Sequence, residues 1–236
     1  GNKSGGDGAV NGNGIYLNST SNVVLRRMTI NGTNQNHGIR GTNVNNFTLE
    51  FSTVTGTNGD NIALDEGSIN FDNLTGSAAI TACLIDGGLE DNLNVVNTSG
   101  TLNRLTVSGC TFGFNSTANG NNNILIESQN PATTLNFTLQ SSLIKGSRAD
   151  WLSVNNNSGS TGDTVIDGNT FDNLGANAHP GAVAGGNRIV FGGVGNSTVD
   201  IKNNVTKGSK GEAIRVRSTA VGAVTGTVNA RVRNNM

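Results

Sequence analysis

The chain has 236 residues, of which 34% are hydrophobic and 13% charged, with a formal net charge of −1 and a pI near 6.1. That balance gives no basic field for nucleic acid and no run of like charge for a membrane surface, while the apolar content exceeds that of a disordered segment. No apolar stretch approaches the roughly 20 residues of a spanning helix, so neither nucleic acid nor membrane insertion of this segment is expected.

Along the chain, one pattern recurs eight times: a polar residue, one residue skipped, then two apolar positions separated by one outward position. The instances are Asn13-Gly14-Ile15-Tyr16-Leu17, His37-Gly38-Ile39-Arg40-Gly41, Asp60-Asn61-Ile62-Ala63-Leu64, Asp91-Asn92-Leu93-Asn94-Val95, Asn122-Asn123-Ile124-Leu125-Ile126, Asp150-Trp151-Leu152-Ser153-Val154, Asn187-Arg188-Ile189-Val190-Phe191 and Glu212-Ala213-Ile214-Arg215-Val216. Recurrence at steps of 23 to 37 residues across the whole chain points to a solenoid, read as one domain over 1–236. A second alternating pair follows in each unit (Val23/Leu25, Phe47/Leu49, Ala78/Ile80, Leu105/Val107, Phe137/Leu139, Thr164/Ile166, Val199/Ile201, Ala230/Val232). A third apolar point then follows at Ile30, Val54, Ile85, Phe112, Ile144, Phe171, Val205 and Met236. Period-two alternation with β-branched residues predicts strands, three short ones per coil around a narrow apolar interior. Ile15, Ile39, Ile62, Leu93, Ile124, Leu152, Ile189 and Ile214 should stack in one buried column. Another inward column reads Met28, Ser52, Cys83, Cys110, Ser142, Asn169, Asn203 and Asn234, where stacked amides would satisfy one another coil by coil. Cys83 and Cys110, adjacent in that column, are expected to be buried free thiols, since parallel in-register Cβ vectors suit a disulfide poorly.

Repeats such as Ile166-Asp167-Gly168-Asn169-Thr170-Phe171 and Ile201-Lys202-Asn203-Asn204-Val205, with Asn at the bend before the third strand, resemble the right-handed parallel β-helix proteins of the pectin-lyase-like superfamily. The likeness covers nearly all of the chain. It implies an all-β fold, a right-handed single-stranded parallel β-helix of about eight coils. Function is left open, because that superfamily holds pectate lyases, polygalacturonases, epimerases, phage tailspikes and non-enzymatic surface proteins.

The polar residues that open each coil form the column Asn13, His37, Asp60, Asp91, Asn122, Asp150, Asn187, Glu212. Adjacent coils lie about 4.8 Å apart, which places Asp60 beside Asp91 as paired carboxylates for glycoside hydrolysis, or as oxygen ligands for calcium. His37, one coil below, could orient them. Asn and Asp also open strands simply because they satisfy local backbone donors. A resemblance to polygalacturonases would require Asn-X-Asp, Asp-Asp, Gly-His-Gly and Arg-X-Lys in ascending coils. Asn58-Gly59-Asp60 and Glu90-Asp91 imitate the first two, but Asn36-His37-Gly38 precedes them and Arg215-Val216-Arg217 only echoes the last. A pectate-lyase likeness would require an arginine over an acidic calcium cluster, and Arg26, Arg27, Arg40 and Arg215 lie too low or too high in the stack.

Coil length adds a further candidate face. Eight residues separate the first-strand from the second-strand points in the first two coils, sixteen in the third and twelve or thirteen in the next three. The extra residues gather around Asp65-Glu66, Thr98-Ser99-Gly100, Glu127-Ser128-Gln129 and Asn155-Asn156-Asn157, and insertions on one face of a solenoid often form its binding side. Asp65, Glu66, Glu127 and Trp151, the last read as an outward ring able to stack on a sugar, are the ligand-binding candidates.

The function expected from these observations is a non-catalytic, extracellular or cell-surface segment of a bacterial surface or secreted protein, a rigid stalk or a module for a glycan or a surface protein. The alternative is a polysaccharide lyase or glycoside hydrolase acting on a polyuronate-like glycan through His37, Asp60 and Asp91; a third possibility is a phage tailspike-like segment. No cofactor is required, with calcium at Asp60 and Asp91 as an option. Both ends lack a cap, so continuation by flanking sequence or another chain is expected there.

Overall fold

A computed structural model describes residues 3–6, 10–157, 160–218 and 226–236. Among these residues the fold is all-β, without α-helix, and the strands pair in parallel into a nearly closed, solenoid-like shape. Each inward side chain meets its counterpart one repeat away, so small aliphatics suffice to build a continuous core. First-strand and second-strand segments share one 14-stranded sheet, and the third segments form a 7-stranded sheet. The two kinds of segment join because Ile39–Glu50 and Ile69–Thr81 run through the corner unbroken. In the next repeat, Leu93–Asn97 and Thr101–Ser108 are separate strands, leaving their corner free to carry a loop.

The core column runs through Ile39, Ile69, Leu93, Ile124, Leu152 and Ile189, all fully buried, with Ile15 and Ile214 half-buried at its ends. The third member is therefore Ile69 and not Ile62, since Ile39 pairs with Ile69 and Ile69 with Leu93. Ile62 and Leu64 instead sit in a 3₁₀ turn, 56% and 45% exposed. Asn61 caps that turn by accepting from the Ala63 N–H, and Asp65 closes it in the left-handed region at φ 49°. Two local fits favour the Ile69 register. A Cβ on Gly67 would lie 2.1 Å from the Asp91 carbonyl oxygen, so only glycine admits this approach. The Phe71 ring also fills the space over Gly41, where a Cβ would lie 2.3 Å from it. In this register nine residues separate Phe71 from Ile80, so the third repeat has no long insertion at that corner; its extra residues, Asp65 and Glu66 included, lie before the first strand.

The polar inward column is a hydrogen-bond ladder. Backbone N–H groups at the bend donate to the side chain one repeat on: Met28 to Ser52, Cys110 to Ser142, Ser142 to Asn169, Asn169 to Asn204 and Asn204 to Asn235, at 2.9 to 3.1 Å. The last two members are thus Asn204 and Asn235 in place of Asn203 and Asn234, because Thr170 pairs with Val205. Asn203 and Asn234 take positive φ at the bend, 57° and 54°, which moves the inward position one residue on. Cys83 and Cys110 are buried free thiols within this ladder. Met236 is 81% exposed and closes no third strand, although its backbone pairs with Asn204 and Thr206.

Candidate functional site

The outer face of the first strands carries two columns set by strand register. One reads Tyr16, Arg40, Asn70, Asn94, Leu125, Ser153, Val190 and Arg215; the other reads Asn18, Thr42, Asp72, Val96, Glu127, Asn155, Gly192 and Arg217. In the lower half of this face the turn at Ile62–Leu64 and Asp65 stands beside the strands and makes a cavity of about 260 Å³. Its walls include His37, Arg40, Asp65, Asn70, Asp72, Asn94, Thr98 and Gln129.

Arg40 is the cation of this groove. Its guanidinium lies 3.9 Å from the Asp72 carboxylate and 5.9 Å from the centre of the Tyr16 ring, while its Nε is buried and has no hydrogen-bond partner among the described residues. Burial pushes the Asp72 carboxyl above its usual range; Arg40 pulls the other way and Asp65 adds to the rise. His37 is buried and its Nδ1 accepts the Gly67 N–H at 3.2 Å. Burial, assisted by the charge of Arg40, lowers its pKa to about 3, so the imidazole is neutral at physiological pH. Asn70 steadies the turn by donating from Nδ2 to the Asp65 carbonyl at 3.2 Å. Asn94 is 1% exposed, and among the described residues neither atom of its amide has a hydrogen-bond partner. Strand alternation turns it away from the core formed by Leu93 and Val95 and onto the groove.

Acids stand behind the turn. Glu90 is pushed up to about 7, first by burial and then by its hydrogen bond to Asp65 and the charges of Asp65 and Glu66. Asp91 is fully buried, with both carboxyl oxygens lacking a partner among the described side-chain contacts, and burial raises it well above the ordinary range, reinforced by Glu90. Both carboxyls therefore keep their protons to higher pH than ordinary carboxyls do.

The candidate residues separate accordingly. His37 and Asp65 meet in the groove. Asp60 does not share a column with Asp91: it is exposed in the loop before the 3₁₀ turn, and the position beside Asp91 belongs to Gly67. The expected Asp60/Asp91 pair therefore does not form, and among the described residues no three His, Cys, Asp or Glu side chains are grouped to hold a metal ion. Glu66 is buried and accepts the Asp60 and Asn61 N–H groups at 2.8 Å each, which shapes the turn. Glu127 lies next to the groove, accepting from Gln129 at 2.6 Å. Trp151 is fully buried, 5.7 Å from the Phe171 ring, and presents no face to a sugar. Asp150 from the opening column is held by both Nε and Nη2 of Arg188, at 2.8 and 2.9 Å. His179 is likewise a packing residue, its Nε2 against the Asn115 carbonyl at 3.0 Å.

Arg40, Asn70 and Asp72 were not among the site candidates. Placing Ile62 in the column put Ala63 beside Arg40; the true neighbour is Asn70, with Asp72 two residues on. Asn94 is legible as an outward position, but its burial is not.

Comparison of the chain with protein-family models, with curated proteins and with solved structures returns no match.

Proposed function

We propose that this chain is a right-handed parallel β-helix of about eight coils, akin to the pectin-lyase-like proteins, that serves outside the cell as a rigid, non-catalytic module of a surface or secreted protein and binds a glycan in the groove beside the 3₁₀ turn. The observation that carries this reading is Asn94. A buried amide with neither donor nor acceptor used costs roughly 1 to 3 kcal/mol per unmet group, and a ligand with hydroxyl groups entering the groove would recover that cost. The surrounding donors and acceptors on Arg40, Asp65, Asp72 and Gln129 are polar groups converging in one concavity, the usual composition of a ligand site. The test is a glycan-binding screen on the intact chain with Asn94→Ala and Gln129→Ala alongside. Binding that both variants weaken, with thermal melts unchanged for Gln129→Ala, is the expected result. Binding indifferent to both variants, or no binding at all, overturns the reading.

One observation favours a second reading, a glycoside hydrolase or polysaccharide lyase. Glu90, held near 7 and hydrogen-bonded to Asp65, is the kind of carboxyl that can donate a proton at neutral pH. Release of reducing or unsaturated ends from polyuronates, with or without calcium, and its loss in Glu90→Gln would establish that reading over the first.

A further inference from the structure

We infer that the groove takes an uncharged, hydroxyl-rich saccharide ring and rejects uronates; this rests on the reading of the groove as a glycan site. The first ground is the set of hydrogen-bonding groups on the walls. Asn94 offers both a donor and an acceptor and the buried Nε of Arg40 a donor, none of them used among the described residues; the carboxyls of Asp65, which Glu90 also meets, and of Asp72, which faces Arg40, are further acceptors. A hydroxyl donates and accepts at once and can satisfy all of them. A carboxylate only accepts and would meet Asp65 and Asp72 as like charges, whereas an ammonium only donates and would leave the Arg40 Nε and the Asn94 donor unmet.

The second ground is charge. The positive charge of Arg40 is already opposed by Asp72 at 3.9 Å, and buried His37 adds none. Asp65 remains over, so the groove is net negative, and its walls exclude part of the water that would screen an incoming anion. The third ground is size. At about 260 Å³ the cavity lies under the range of roughly 300–1,000 Å³ for drug-sized ligands, which suits a single ring, with the rest of an oligosaccharide lying along the strand face toward Glu127 and Asn155.

The experiment is titration calorimetry of the whole chain with a panel of neutral hexose oligosaccharides and with oligogalacturonates of matched length, each at about 50 and 500 mM NaCl. The expected result is that at least one neutral member binds, with the same affinity at both salt concentrations, and that the uronates bind at least tenfold more weakly. Asp72→Asn, at a half-exposed side chain, should narrow the gap between neutral and uronate ligands by about fivefold through loss of one like charge; an unchanged or widened gap would count against the charge argument. Uronate binding that exceeds neutral binding and is lost in Gln129→Ala would overturn the preference while keeping the glycan site. Failure of every saccharide to bind, or binding unchanged in Asn94→Ala and Gln129→Ala, would overturn the site itself.

Discussion

Replacing Glu90 by Gln should stabilise the protein at pH 8 and leave it unchanged at pH 4.5. The Glu90 carboxyl, half-buried beside Asp65 and Glu66, titrates at about 7 in the folded chain against 4.5 ordinarily. Below 4.5 both folded and unfolded chains hold the proton and the group is neutral to stability. Between 4.5 and about 7 the unfolded chain has released a proton that the folded chain keeps, so stability falls as pH rises, and above 7 the full penalty is present. The interval corresponds to about 3.4 kcal/mol at 1.36 kcal/mol per pH unit; solvent screening at a half-open site reduces this to about 1–2 kcal/mol. His37 acts in the opposite sense: held near 3, it refuses a proton that the unfolded chain accepts below 6.5, so its contribution rises with pH between those values. The wild-type profile mixes both slopes, and only the difference between wild type and Glu90→Gln isolates Glu90. Thermal melts at half-unit steps from pH 4.5 to 8 should show that difference growing from zero to about 4 °C. An equal gain at pH 4.5 and 8, or none at pH 8, would refute the argument, because a neutral amide mimics the protonated carboxyl and nothing else.

Three further outcomes test the packing. Phe137→Ala, at a fully buried ring in the middle of the stack, should lower unfolding free energy by about 3–5 kcal/mol, measured by urea titration; a loss under about 1 kcal/mol would mean that the column is not continuous there. Gly67→Ala sets a Cβ against the Asp91 carbonyl at 2.1 Å and should lower the melting temperature markedly, whereas Ile62→Ala, at an exposed turn residue, should stay within about 0.5 kcal/mol; the reverse order would restore Ile62 to the core. Cys83 and Cys110 are buried free thiols and should be silent to a thiol reagent in the native protein, then react together on unfolding, which absorbance during a denaturant jump would follow.

Most of the core was legible from alternation alone because a parallel stack repeats its apolar positions: Ile39, Leu93, Ile124, Leu152 and Ile189 all fall where the pattern puts them. What alternation cannot decide is which of two equally patterned segments enters the stack. Ile62-Ala63-Leu64 and Ile69-Asn70-Phe71 read alike as strand, and the choice is made by contacts between repeats, Gly67 under the Asp91 carbonyl and Phe71 over Gly41, which no single repeat displays. Bends hide parity in the same way. At Trp151 and Leu152 two successive residues both face inward, and at Asn203 a left-handed residue advances the ladder by one position, so counting by twos across either corner gives the wrong face. The groove inherits this limit. Its members belong to different repeats, and Arg40 acquires Asp72 as a neighbour only once Ile39 is paired with Ile69. A seven-residue shift of one strand thus leaves the fold class intact while exchanging the Asp60/Asp91 pair for an arginine, an acid and a buried amide. In a solenoid of this kind the site is far more sensitive to register than the core, because core positions are interchangeable along the stack and the polar side chains are not.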